Sequence, residues 1–181
     1  MSAPGDVVKL KICMAGEGAV GKTCLIRRYV LDQYEDRYIA TLGTKITKKS
    51  LRTANPKGPG DIQADVILWD IMGTSTLREL LKEAYYHGAQ GILAVADLTR
   101  RDTLTALDEW ARSIRSVAGD IPTYGVVNKA DLEAERDILA SEVESFFEKR
   151  GWSWSYTSAK TGSGVEEAFV GLVRRVLESR A

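Results

Sequence analysis

Eight consecutive residues, Gly16-Glu17-Gly18-Ala19-Val20-Gly21-Lys22-Thr23, complete a G-x-x-x-x-G-K-[ST] pattern. Glycines at this spacing let the backbone wrap closely around an anion with its N–H groups turned inward, and a following helix adds its positive end. The chemistry is that of a polyphosphate cradle. Lys22 is a compact cation able to reach the β- and γ-phosphates, and the Thr23 hydroxyl is a ligand for Mg²⁺. Glu17, Gly18, Ala19, Val20, Gly21 and Cys24 complete the expected phosphate-binding set. By itself the pattern specifies a nucleoside triphosphate, not its base.

A second cluster, Asn128-Lys129-Ala130-Asp131, follows the apolar run 125–127, and a third, Thr157-Ser158-Ala159-Lys160, follows residues 152–156. A carboxylate at Asp131 accepts two hydrogen bonds from guanine, at N1–H and the 2-amino group. Adenine offers neither donor on that edge, and an unpaired acid there is costly. A backbone N–H from Ala159 or its neighbour suits the guanine O6. Each tetrapeptide is a weak signal alone. Their joint occurrence after strands, downstream of a phosphate loop, selects guanine.

The elements that must carry these residues alternate between apolar strands and amphipathic helices. Val7–Ala15 predicts a strand running into the glycines, and 24–30 a helix after them. Residues 46–53 and 62–69 predict a β-hairpin with a long tip at 55–60. Helices are expected at 77–87, 104–118, 138–149 and 165–177, and strands at 91–96, 123–127 and 152–156. Such repetition implies parallel pairing through right-handed crossovers, with helices on both faces. Ligands of such sheets bind at the carboxyl ends of the strands, where all three clusters fall.

Length and composition narrow the class. The 181 residues fit one domain, 1–181, with an ordered core of about 7–178. Lys+Arg and Asp+Glu balance at 25 each, which argues against nucleic acid as the main partner. No apolar run is long enough to span a bilayer, and no secretory signal is expected. Two cysteines and one histidine exclude a disulfide framework and most histidine-based chemistry. A cytoplasmic protein is expected.

In combination these motifs resemble the Ras superfamily of small GTPases, nearest to the Rab branch, over nearly the whole chain. Trp69-Asp70-Ile71-Met72-Gly73, then Leu77-Arg78 and Tyr85-Tyr86-His87-Gly88-Ala89-Gln90-Gly91, are similar to the Rab pattern W-D-T-A-G…F-R…Y-Y-R-G-A-x-G. Asp97-Leu98-Thr99, Trp110 and Val165-Glu166-x-Ala168-Phe169 continue it, and residues 18–25 also resemble Rho proteins. The resemblance implies a P-loop G domain: a mostly parallel six-stranded sheet with one antiparallel edge strand. It further implies a GTP/GDP switch with Mg²⁺ and slow hydrolysis, read by effectors and governed by a GTPase-activating protein and an exchange factor. Residue by residue, it places Thr41 on Mg²⁺ in the first switch, chosen over Thr44 because Tyr38-Ile39-Ala40-Thr41-Leu42-Gly43 matches the Rab and Ran motif. It places Tyr34 against the guanine, Asp70 on Mg²⁺ through water, the Gly73 N–H on the γ-phosphate, and Lys22, Thr41, Gly73 and Thr74 in the catalytic group. Asn128, Lys129, Asp131, Ser158, Ala159 and Lys160 read the base.

Departures from the pattern are equally informative. Thr74 stands where most relatives carry the glutamine that orients the attacking water, so weak intrinsic hydrolysis is expected, with a partner supplying the missing group. The same residue sustains an alternative, a GTP-binding interaction module with negligible hydrolysis. Ile71 and Met72 replace a smaller pair, and the tip at 55–60 predicts a plain loop insertion. No lipid anchor is expected, because the carboxyl terminus lacks a prenylation cysteine and Ser2 precludes myristoylation. Trp110, Trp152 and Trp154 are expected in packing, His87 on a surface, and Cys24 as a small buried thiol. The basic pairs Arg27-Arg28, Lys48-Lys49, Arg100-Arg101 and Arg174-Arg175 are expected to solvate helix or strand faces. Oligomeric state is not encoded.

Overall fold

The first strand, β1 (Val7–Ala15), is exposed at its start, where Lys9 alternates with apolar neighbours, and buried from Ile12 onward. The computed structural model describes residues 7–37, 43–71 and 75–180. After β1 come α1 (Lys22–Leu31), β2 (Thr44–Ala54), β3 (Asp61–Ile71), α2 (Ser75–Tyr86) and β4 (Gly91–Asp97). The second half runs α3 (Arg101–Thr105), α4 (Leu107–Ala118), β5 (Thr123–Asn128), α5 (Ala140–Glu148), β6 (Ser153–Tyr156) and α6 (Val165–Ser179), with a short 3₁₀ turn at Glu133–Glu135.

The six strands lie in the order β2-β3-β1-β4-β5-β6. β2 is antiparallel to β3 and sits at the edge; every other pairing is parallel. This is the mixed sheet expected for a Ras-family G domain. From β1 the chain goes first to β2 and β3 on one side and then to β4 on the other. The order therefore reverses beside the carboxyl end of β1, where a crevice must open.

Helices cover both faces. On one side Leu10, Ile12, Met14, Leu68 and Leu93 pack against Leu25 and Ile26 of α1 and Phe169, Leu172 and Val176 of α6. Tyr29 stacks on Phe169 with ring centroids 4.2 Å apart. On the other, Cys13, Ile92, Ala94 and Val127 meet Leu107, Trp110 and Ile114 of α4 and Phe147 of α5. β4 is buried along all seven residues, the signature of a strand covered twice.

The predicted elements all appear, with shifted ends. The helix expected over 104–118 begins earlier and is divided at Ala106 into α3 and α4. The backbone ladder crosses this point, Ala106 N–H to the Asp102 carbonyl at 3.1 Å and Trp110 N–H to that of Ala106 at 3.2 Å, while the Thr103 and Thr105 hydroxyls donate to the Arg100 and Asp102 carbonyls at 2.6 and 3.0 Å. α5 starts two residues late because Leu139 is extended and gives its N–H to Glu142. Trp110 and Trp152 are buried and Trp154 packs beside them, as expected. Cys24 is half-buried, not buried: it packs partly against the core on the α1 side.

Candidate nucleotide-binding site

The phosphate loop bridges the end of β1 and the start of α1. Gly16 has φ +140°, and a Cβ there would lie 2.3 Å from the Val95 carbonyl oxygen. Gly21 has φ +101°, and its Cβ would lie 2.3 Å from Asn128 Nδ2. Both contacts are closer than any side chain tolerates, so backbone conformation and space each demand glycine. Ala19 adopts φ +61°, a left-handed conformation unusual for a residue bearing a Cβ.

Lys22, the first residue of α1, arches back over the loop and donates to the carbonyls of Gly16 at 2.7 Å and Glu17 at 2.8 Å. Burial lowers its pKa to about 8, against the opposing pull of Asp70 and Glu17, while Arg100 pushes in the same direction as burial. A buried ammonium so held is a preformed partner for a polyphosphate. Glu17 is anchored in turn: its carboxylate accepts the Trp110 indole N–H at 2.8 Å.

Beside Lys22, the Thr23 hydroxyl donates to Asp70 Oδ2 at the end of β3. Asp70 is buried, and its other oxygen, Oδ1, has no hydrogen-bond partner among the described residues. Burial raises this carboxyl's pKa, opposed by the Thr23 hydroxyl and by Lys22 and Lys45. An orphaned carboxylate oxygen beside a hydroxyl fits a hard divalent cation that completes its shell with water and phosphate. Among the described residues no cluster of three His, Cys, Asp or Glu exists to form an all-protein metal cage. A cleft of about 230 Å³ adjoins this pair, walled by Ile26, Arg27, Val30 and Lys45.

The base-reading segments close on the same crevice. Asn128 ends β5 and donates through Nδ2 to the Val20 carbonyl at 3.0 Å, a bond from the N-K-x-D segment into the phosphate loop. Its Oδ1 accepts the Thr157 hydroxyl at 3.0 Å and the Ala159 N–H at 3.3 Å. Asn128 thus ties all three motifs together. Lys129, at φ +65°, directs its ammonium to Asp97 Oδ2 at 2.6 Å. Ser158 donates to Asp131 Oδ1 at 2.6 Å, which fixes the exposed carboxylate. Lys160 is exposed, and Tyr34 is half-buried against the α1 side of the core with its phenol donating to Asp36. Burial and Asp36 push that phenol up to about 12.

Thr41, Gly73 and Thr74 lie outside the described residues, as does Met72. The structure brings together Lys22, Thr23, Asp70, Asn128 and Lys129, and through Ser158 it adds Asp131. Several residues of the basic pairs expected merely to solvate a face do otherwise, and two of them brace this site. Arg28 reaches across from α1 to the carbonyls of Ala159 at 2.8 Å and Lys160 at 2.7 Å, bracing the third motif. Arg100 donates to the Gly18 carbonyl at 2.8 Å. No motif spacing marks these arginines, because their partners lie 131 and 82 positions away.

Residues 11–178 match the model of the Ras family. The human Ras-related protein Rab-21 is 32% identical over 176 residues, covering 97% of this chain and 75% of its own length. Rab-2B of Dictyostelium discoideum is 34% identical over 169 residues, 93% of this chain and 80% of the relative. Rab-13 of Mesocricetus auratus is 32% identical over 168 residues, covering 92% and 79% respectively.

Proposed function

This chain belongs to the Ras family, on its Rab branch, and from that membership we propose how its own residues perform the family's work. It is a GTP-binding switch GTPase that uses Mg²⁺ and acts with activating, exchange and effector partners. The residue assignments, the strength of hydrolysis and the cellular setting are our reading.

In that reading the loop N–H groups from Gly18 to Cys24 and the ammonium of Lys22 hold the polyphosphate. Thr23, Thr41 and Asp70 would hold Mg²⁺, which when bound would supply positive charge against the negative charge of the phosphates. Asp131 selects guanine, Ser158 fixes it, Asn128 locks the base loop to the phosphate loop, and Ala159, Lys129, Lys160 and Tyr34 enclose the base. Thr41 and the Gly73 N–H fasten the two switches only while the γ-phosphate is present, so hydrolysis releases both. Lys22 and the inward N–H groups stabilise charge on the transferring group without moving. The observation that carries this account is the Asn128–Val20 bond at 3.0 Å, which fuses base and phosphate subsites into one crevice.

The whole chain, 1–181, forms one G domain with a core of about 7–178. We read the protein as cytoplasmic; separately, among the described residues no helix is long and apolar enough to cross a membrane. Thr74 leaves the attacking water poorly aligned, since its hydroxyl is shorter than the usual glutamine amide. Single-turnover hydrolysis of GTP tests this: the unaided protein should be slower than its Thr74→Gln variant. Equal rates would remove the assignment of Thr74, and absence of hydrolysis in both, even with a cell extract, would favour a non-hydrolysing binding module.

A further inference from the structure

We propose that Arg100 is a positioning residue that holds the outer wall of the phosphate loop to the base-reading loop through Asp97 and Lys129. The inference rests on the nucleotide site proposed above and deepens it. Arg100 follows β4, just ahead of α3. Its Nη2 donates to the Gly18 carbonyl at 2.8 Å and its Nε to Asp97 Oδ2 at 3.2 Å. The same carboxylate oxygen receives the Lys129 ammonium at 2.6 Å, while Oδ1 takes the Thr99 N–H at 2.9 Å and hydroxyl at 2.7 Å. Asp97 is fully buried and pairs in register with Asn128 across the β4–β5 ladder. With four donors on two oxygens the carboxylate has no freedom to turn. Burial alone would raise its pKa, but the bonds from Lys129 and Thr99 outweigh it and keep the group ionised.

The consequence for the loop follows from peptide planarity. The Gly18 carbonyl and the Ala19 N–H belong to one peptide unit and point in opposite directions. Fixing the carbonyl toward Arg100 therefore aims the Ala19 N–H away from it, toward the cradle. Ala19 sits at φ +61°, a conformation unfavourable for a residue with a Cβ, so this peptide has a reason to flip if released. Arg100 opposes the flip with a charged fork, and Asp97 stops the fork from swinging away. Trp110 holds the preceding residue by its side chain, so Glu17 and Gly18 are both tethered to the segment that follows β4. Lysine in place of Arg100 offers charge but not the two-pronged reach.

Release of fluorescent GDP and binding of GMP and GDP, measured on the full chain with Mg²⁺, test the proposal. Arg100→Ala should release GDP at least about tenfold faster, the scale of one charge-assisted hydrogen bond. Arg100→Lys should fall between it and the parent. GMP binding should be little changed in both, because GMP carries no β-phosphate for the loop to hold. The double variant Arg100→Ala/Lys129→Ala should lose less than the product of the single losses, since both act through one carboxylate. Unaltered GDP release in Arg100→Ala overturns the proposal, as does equal weakening of GMP and GDP, which would mark general loosening. If Arg100→Ala does not fold, Arg100→Lys decides by the same two readouts. Failure of the parent chain to bind GDP would instead overturn the underlying nucleotide site.

Discussion

Lys22 lies in surroundings that hold its proton less firmly than water does, with a pKa lowered to about 8 chiefly by burial. Phosphate oxygens arriving beside the ammonium would raise that value, so the complex keeps the proton that the free protein gives up. Binding of GDP should accordingly be insensitive to pH below about 8 and weaken above it, by at most tenfold per pH unit. Calorimetry above pH 8 in buffers of different ionisation enthalpy should register proton uptake on binding; a flat affinity from pH 7 to 9.5 would contradict the role of Lys22. At the other end of the ligand, Asp131→Asn replaces an acceptor with a donor and should transfer preference from GDP to xanthosine diphosphate. Competition binding measures this, and retention of guanine selectivity would remove Asp131 from the base site. Side chains like these were legible in the sequence because motif and spacing name them. Arg28 and Arg100 were not, since a basic pair in sequence carries no sign of a carbonyl more than eighty positions distant.

Strands and helices were readable where apolar period and glycine agree. β1 ran to its expected bounds, and β4 announced itself as an unbroken apolar run between glycine and aspartate. Ends were harder. The earlier start of α3 is set where β4 places Asp97 beside Thr103, whose hydroxyl accepts the Asp97 N–H and donates to the Arg100 carbonyl. The antiparallel hairpin is the most regular pairing, extending in continuous register from Thr44 opposite Ile71 to Ala54 opposite Asp61. Its tip is self-contained: Asn55 and Gly60 close it with a backbone bond at 3.0 Å, and the Asn55 side chain accepts the Lys57 N–H at 2.9 Å. Among the described residues, no hydrogen bond from the nucleotide site reaches this end of β2. Replacing residues 55–60 by a two-residue Asn-Gly turn should therefore change stability by less than about 1 kcal/mol and leave GDP affinity as it was, because loop-closure entropy varies slowly with length. Chemical denaturation and nucleotide titration check both parts. A large loss of GDP affinity would show that the tip communicates with the site.

At the scale of the molecule, the sheet does for this protein what no single element can. Lys22 belongs to the first quarter of the chain, Asp70 to the second, Asn128 and Ala159 to the last third, yet the reversal of strand order beside β1 delivers them to one edge. Two buried faces make that edge stiff, with α1 and α6 packed behind it and α4 and α5 in front. A ligand touching all the loops at that edge binds only when the whole sheet is assembled, so its binding energy must appear as stability. With GDP and Mg²⁺ at a thousand times the dissociation constant, unfolding should become harder by about 4 kcal/mol. A scan of melting temperature against nucleotide concentration reads this directly. ATP at the same concentrations should shift the midpoint far less, because Asp131 would face an edge without donors. Chelating Mg²⁺ should reverse part of the gain, since Asp70 is a buried acid whose Oδ1 lacks a partner among the described residues. Equal shifts from ATP and GDP would mean that the phosphate loop binds alone and that the three segments do not act as one site.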